Sequence, residues 1–340
     1  MLRDILQYMM KTILVTGGLG YIGSHIVVEL LNHDKDYSVI IVDNLSTSKM
    51  EKIESIARSV KKKSDRILFF LCDIRDHSEI EKIFIEKHVD TVIHTAGLKS
   101  ISESIKHPSL YYDVNVTGTL SLIKAMKKHN CKKLIFSSSG SVYGSSKSPY
   151  KEDSITGVGI KHPYGKTKYI QEEFLKDIYN VDKTWDITVL RYFNPIGQKN
   201  MLLREKPNKT PNNLFPYIVG VYKGELSHLT VYGKDYEDSP DGTCIRDFIH
   251  VCDLADAHVK VCDRMVGENT GFKMYNVGGE KGVSVQQIID SFERVNRASI
   301  KCEYSERREG DVGCMISDCS LIREEMGWKS TYGLDDMVKL

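Results

Sequence analysis

Thr12–Val15 is a short, β-rich apolar run that ends in Gly17-Gly18-Leu19-Gly20-Tyr21-Ile22-Gly23. Beyond the glycines, Ile22, Ile26, Val27, Leu30 and Leu31 recur at helical spacing. A strand, a glycine turn and a helix in that order constrain the fold more than any other feature of the chain. The glycines permit a tight turn, let backbone approach a pyrophosphate closely, and let the helix pack tightly on the strand. The helix N-terminus then offers free N–H groups and partial positive charge to phosphates. Gly17, Gly20 and Gly23 are therefore the first candidate binding residues.

A second β-branched run, Val39–Val42, ends at Asp43, and similar runs follow at Ile67–Leu71, Thr91–Ile93, Lys133–Phe136 and Ile187–Leu190. Stretches of helical composition, such as Glu79–Lys87 and Leu120–Lys128, lie between them. Alternating strands and helices predict a parallel sheet whose strands are buried on both faces, which is why they read as continuous apolar runs. The expected fold is α/β, a doubly wound Rossmann-like sheet over residues 11–194, with a smaller mixed α/β substrate lobe over 195–340. Periodicity fades over Pro195–Ser239, Asp247–Met265 reads as a βα passage packing back on the sheet, and a helix is expected around Val285–Val295.

Asp43 follows Gly20 by 23 residues, where a carboxylate can accept hydrogen bonds from an adenosine ribose or cap the next turn. A negative charge there repels a 2′-phosphate, and no arginine follows in Asn44-Leu45-Ser46, so the expected cofactor is NAD. Asp73-Ile74, after the third strand, suits a hydrogen bond to the adenine edge.

Pro163 fits the first turn of a helix on which Tyr164 and Lys168, four residues apart, share a face. A neighbouring ammonium favours the phenolate and lowers the tyrosine pKa, making it a useful base near neutrality. Ser137-Ser138-Ser139 follows a strand, and strand C-terminal ends are where doubly wound sheets bind ligands. A hydroxyl there can donate to a substrate oxygen beside Tyr164.

A net charge of +1 provides no field for nucleic acid or an anionic membrane, and no apolar run approaches the length of a membrane span. Lys61-Lys62-Lys63 reads as solvated chain, and Met1–Met10 as an extension without the marks of a signal peptide. The eight cysteines (72, 131, 244, 252, 262, 302, 314, 319) form no CxxC pair and no zinc-finger set. No metal is expected, and the expected compartment is the reducing cytoplasm.

Taken in order, Gly17–Ser24, Asp43–Leu45, Ala96–Lys99, Ser137–Gly144, Pro163–Lys168, Arg191–Gly197, Asn212–Leu214, Arg246–Val251 and Arg307–Asp311 resemble the extended short-chain dehydrogenase/reductase family, within it the UDP-glucose 4-epimerases. The resemblance covers Lys11 to Asp336. It implies that Ser139 and Tyr164 are the catalytic hydroxyls, and that Lys168 tunes the tyrosine and binds the nicotinamide ribose. It implies NAD contacts from Tyr21, Ile22, Asp43, Asn44, Ser46, Asp73, Ile74, Ala96, Lys99, Asn115 and Phe193. It also implies UDP-sugar contacts from Asn194, Asn213, Leu214, Thr230, Tyr232, Arg246, Arg308 and Asp311, the arginines being suited to a diphosphate. A homodimer is implied as well.

The implied reaction interconverts UDP-galactose and UDP-glucose by transient oxidation of the sugar C4. Two alternatives are another nucleotide-sugar enzyme, such as a dehydratase, and a non-catalytic NAD-binding protein. Dehydratases place acidic residues after the catalytic hydroxyl, where this chain has Gly140 and Ser141, and a non-catalytic relative is free to lose the Tyr164/Lys168 pair that is kept. The family usually carries Ala-Thr at those two positions, and a few-residue C-terminal tail that is expected to be missing after Leu340. Met315 stands where tyrosine or a small residue limits the sugar pocket. It either gates N-acetylated sugars (UDP-GalNAc and UDP-GlcNAc) or packs in the lobe core.

Overall fold

A computed structural model describes residues 10–60, 64–203, 213–308 and 312–340. Asp311, Asn212, Met1 to Met9 and the Lys61–Lys63 run lie outside the described residues.

Seven parallel strands form the main sheet: β1 (Lys11–Thr16), β2 (Tyr37–Asp43), β3 (Ile67–Leu71), β4 (Thr91–His94), β5 (Lys133–Ser139), β6 (Asp186–Tyr192) and β10 (Phe272–Val277), in the order β10-β6-β5-β4-β1-β2-β3. Alternation within the apolar runs sends side chains to opposite layers. Ile13, Val15, Val39, Ile41 and Ile93 join one buried cluster, while Leu14, Ile40, Val42, Val92 and Leu134 join another. Each such side chain, fully buried, contributes about 1.5–3 kcal/mol, so a double-faced run is held as a strand whatever its local propensity.

Helices α1 (Tyr21–Asn32), α2 (Lys52–Ser59), α3 (His77–Glu86), α4 (Ile101–Lys106), α5 (Pro108–Tyr111) and α6 (Gly118–Lys128) connect the first five strands. A six-residue π-helix, Tyr112–Thr117, joins α5 to α6 and carries Asn115. The long α7 (Pro163–Val181) leads from β5 into β6. The chain reverses direction in the sheet between β1 and β4, which opens a crevice beyond their C-terminal ends.

The second half adds β7 (Asn194–Ile196), α8 (Leu214–Tyr222), β8 (Leu229–Tyr232), β9 (Ile245–His250), α9 (Val251–Gly267), β11 (Gly282–Ser284), α10 (Val285–Asn296), β12 (Cys302–Ser305), β13 (Cys314–Met315), α11 (Ser320–Met326) and α12 (Leu334–Val338). Strands β7, β9, β11 and β13 make one small sheet and β8 with β12 another, over a core of Ile196, Phe215, Ile218, Phe248, Ile288 and Phe292. The expected helix over 285–295 is α10, started by a capping box between Ser284 and Gln287. Helix α9 packs against α1, and β10 pairs with β6, so the second half returns to complete the main sheet. Among the described residues, no helix is long and apolar enough to cross a membrane.

Candidate active site

The turn after β1 shows why glycine is needed. Gly17 has a φ of +67°, and a Cβ there would lie 2.9 Å from the Ala96 backbone. A Cβ on Gly23 would collide with the Gly17 carbonyl oxygen, so α1 can approach the turn only with glycine there. Gly20 caps α1 through its backbone conformation, with no side-chain hydrogen bond, which leaves the first-turn N–H groups facing the crevice end of the sheet. These features fit a dinucleotide pyrophosphate. The Tyr21 hydroxyl donates to the Gly197 carbonyl at 2.6 Å, tying this turn to the Arg191–Gly197 segment, and Lys99 Nζ sits 5.9 Å from the Tyr21 ring centroid.

Asp43, buried at the end of β2, accepts from Leu19 N at 3.1 Å, from Leu45 N at 2.9 Å and from the Ser48 hydroxyl at 2.9 Å. It therefore caps its own turn and braces the glycine turn. Asn44 donates to Asp73 at 2.8 Å and accepts from Ser46 N at 3.0 Å. Hydrogen bonds from Arg75 hold the Asp73 carboxyl well below the usual carboxylate range. Ile74 packs under Gly118, where a Cβ would come within 2.7 Å of its Cδ1.

Ala96 follows β4, its N–H 3.3 Å from the Thr16 hydroxyl. The buried Asn115 side chain accepts from Leu98 N at 2.8 Å, donates to Leu98 O at 3.0 Å, and donates to the Thr167 hydroxyl of α7 at 3.0 Å. The π-helix thus fastens the β4 turn to the helix that carries Tyr164 and Lys168.

That helix begins at Pro163, with His162 as its cap accepting from Gly165 N at 3.0 Å. Ser139 ends β5, because pairing with β6 continues from Lys133 through Ser139↔Tyr192; the strand expected to stop at Phe136 runs on through the three serines. The Ser139 hydroxyl stands near enough to the Tyr164 phenol to favour its charged form, and its Oγ donates to Ser141 Oγ at 3.2 Å. Lys168 is buried, its Nζ donating to the Ser137 carbonyl at 2.8 Å and lying 4.9 Å from the Phe136 ring centroid.

The expectation that Lys168 depresses the Tyr164 pKa needs correction. Burial raises the phenol above its ordinary value and is the larger influence, while the nearby Ser139 hydroxyl opposes it. The same burial pushes the Lys168 ammonium down to about 8, with Glu172 opposing. Desolvation penalises the charged form of each group, so burial works against both the phenolate and the ammonium.

The match to known proteins follows this geometry. Residues 13–278 match the model of the NAD dependent epimerase/dehydratase family. The chain belongs to that family. It is 45% identical to UDP-glucose 4-epimerase of Pasteurella multocida over 329 residues, 96% of this chain and 95% of that one. Its fold superposes with a TM-score of 0.91 on UDP-glucose 4-epimerase of Bifidobacterium longum, solved in complex with NAD+ and UDP, at 43% identity and 96% coverage of both chains. The UDP-Glc/GlcNAc 4-epimerase of Campylobacter jejuni is more distant, at a TM-score of 0.82 and 32% identity over 97% of each chain.

For this epimerase/dehydratase-family chain the second half contributes side chains from several segments. Asn194 donates to the Asp247 carbonyl at 3.0 Å, which ties β7 to β9. Arg246 of β9 stands opposite Met315 of β13, and its guanidinium donates to the carbonyls of Ile245 (2.9 Å) and Val312 (2.8 Å). Thr230 and Tyr232 lie on β8, and the Arg308 guanidinium covers the exposed Tyr232 ring at 4.8 Å. Asn213 caps α8 without a side-chain hydrogen bond, and Leu214 is its first residue. Met315 packs against a cluster of Val142, Tyr143, Tyr150 and Phe193. Phe193 lies directly over Gly140, where a Cβ would come within 3.1 Å of its ring. The family's alanine at 140 would press on that ring, which gives the departure a packing context.

Sequence reasoning missed the buried pair of Glu172 and Arg191. Their charged atoms are 2.7 Å apart, and Glu172 also accepts from the hydroxyl of Ser138, next to Ser139. Removing one partner of such a pair costs about 3–5 kcal/mol. The available signal was Glu172 at i+4 from Lys168, on the same helix face as Tyr164 and Lys168. A second buried chain, Thr16–His94–Thr119–Gln171, joins β1, β4, α6 and α7, with links of 2.7, 2.8 and 2.6 Å.

Proposed function

We propose that this chain interconverts UDP-galactose and UDP-glucose, using NAD that stays bound through the cycle. The observation that carries the reading is Ser139 at the C-terminal end of β5 together with the buried Lys168, one turn on from Tyr164 along α7, whose Nζ donates to the Ser137 carbonyl of the same strand. Gly17, Gly20, Gly23, Tyr21 and Ile22 would hold the pyrophosphate. Asp43, Asn44, Ser46, Asp73 and Ile74 would hold the adenosine. Ala96, Lys99, Asn115, Lys168 and Phe193 would surround the nicotinamide half. Bound NAD supplies an acceptor for the C4 hydride and then a donor to the opposite face. Tyr164 takes the proton from the sugar 4-OH and returns it, while Ser139 holds the same oxygen. Arg246 and Arg308, with Asn194, Asn213, Leu214, Thr230, Tyr232 and Asp311, would grip the UDP and leave the sugar free to turn.

Residues 11–194 would serve the cofactor and 195–340 the substrate, although β10 and α9 structurally complete the first part. A homodimer fits the exposed apolar side chains Ile101 and Ile105 of α4 and Leu110 of α5, helices that pack on α7. A cytoplasmic setting fits the eight cysteines, all of them free thiols. Purified protein given UDP-galactose and no added cofactor should accumulate UDP-glucose. Unchanged substrate, or a 4-keto-6-deoxy product, would overturn the reading.

A further inference from the structure

We infer that Glu172 is a positioning residue for the reaction: its fixed carboxylate keeps the buried Lys168 charged beside Tyr164. The inference rests on the epimerase reading of the site. Among the described residues, no carboxylate forms an ion pair with Lys168, whose ammonium hydrogen-bonds the Ser137 carbonyl and lies over the Phe136 ring. A buried ammonium served by one carbonyl and one ring face is poorly compensated for its lost hydration. Glu172 lies one helical turn further along α7 and is the charged group that opposes this penalty.

Its own carboxylate cannot swing away. Arg191 of β6 binds it through Nη2 at 2.7 Å and through Nε at 3.1 and 3.2 Å, and the Ser138 hydroxyl binds it from β5. Arg191 is anchored in turn by the Tyr143 hydroxyl at 3.0 Å and the Glu152 carbonyl at 3.1 Å. The negative charge is thus held at a set place relative to both Lys168 and the strand end that carries Ser139.

The other groups around Lys168 do not supply such a charge. His94 of β4 is buried and held neutral, its pKa pushed down to about 3 by burial. Tyr192 of β6 bonds the Ser137 hydroxyl, and burial raises its phenol. The π-helix offers the neutral Asn115, and Glu103 of α4 accepts from the Tyr111 hydroxyl. Tyr143, beside the turn after Ser139, is engaged by Arg191 and Asn276.

The productive state has a phenolate at Tyr164 and an ammonium at Lys168. Removing the Glu172 charge makes Lys168 lose its proton more easily. Below that titration the ammonium persists in either protein and turnover is little changed. Above it, fewer molecules hold the ammonium, whichever of the two groups loses its proton first. The deficit is therefore confined to the alkaline side.

The test compares kcat/KM against pH for wild type, Glu172→Gln and Glu172→Asp, each with its bound NAD quantified. Glu172→Gln should match wild type within about twofold near pH 6 and fall about tenfold behind above pH 8.5. Glu172→Asp, which retains the charge, should recover most of the alkaline activity. If Glu172→Gln does not fold, the aspartate variant decides alone, by a smaller deficit of the same pH dependence. A deficit equal at all pH values, or none, overturns the inference while the epimerase reading stands. A wild type that does not epimerise at all overturns the reading itself.

Discussion

On the proposed cofactor side, the residues in question sit at the ends of β1 to β5, of which all but the half-exposed edge strand β3 are pinned between neighbours in one sheet and buried on both faces. On the proposed sugar side, Thr230, Arg246, Arg308 and Met315 come from two small sheets and a connecting segment, in which β13 is only two residues long. The first region builds its site largely from backbone: glycine contacts, a bare helix N-terminus, and an Asp43 carboxylate engaged by main-chain N–H groups. The second relies on side chains reaching in from separate places. Backbone sites tolerate almost no change, whereas side-chain sites can be retuned. That contrast is open to experiment at four strengths.

The largest effect is expected at Gly23. Gly23→Ala forces a methyl group into the Gly17 carbonyl oxygen, and protein purified with this change should carry no bound NAD and show no turnover. Retention of stoichiometric cofactor would show that the turn yields more readily than its contacts indicate.

Next comes the base. Tyr164→Phe leaves α7 and the glycine turn untouched, so bound NAD should persist while turnover drops at least ~10²-fold. Steady-state rates and cofactor content measured on one preparation separate the two effects. In the same preparations, denaturation should release NAD rather than NADP, because Asp43 stands at the end of β2; release of NADP would sink the assignment of Asp43.

On the sugar side, losing one guanidinium should weaken binding rather than abolish it. Arg246→Ala and Arg308→Ala should each raise KM by roughly 10- to 100-fold, the range for a hydrogen bond to a charged group, with bound NAD unchanged. A fall in cofactor content instead would erase the distinction between the two regions.

The smallest effect concerns Met315, which packs against Phe193 and Tyr150 and can repack around an irregular ligand. UDP-glucose/UDP-galactose is expected as the main pair, with the N-acetylated pair turned over more slowly. Met315→Tyr should suppress the acetylated pair selectively and Met315→Cys should favour it, by about tenfold or less in the kcat/KM ratio. An identical ratio in all three proteins would leave Met315 as a packing residue.

The same contrast decides what could be read from the chain. Val39–Val42 and Lys133–Phe136 are recognisable because a central parallel strand needs apolar side chains on both faces. Strand β10 is half exposed over Phe272–Met274, so no continuous apolar run marks it, and its place beside β6 is a long-range fact. Helix α8 went unrecognised because Pro216 and Gly220 interrupt its nine residues. Strands β7 and β13, with three and two residues, exist only through pairing with β9. In the site, Ser139, Tyr164 and Lys168 were legible because strand end and helix spacing announce them. The Glu172–Arg191 pair was not, since two charges 19 positions apart meet only through the fold.

The central claim is that hydride leaves the sugar C4 and returns to it inside one site. UDP-galactose deuterated at C4, given to the purified protein without added cofactor, tests it most directly. The account predicts UDP-glucose that retains deuterium at C4, with none lost to water. Exchange of that deuterium with solvent, or its appearance at another carbon, would contradict it.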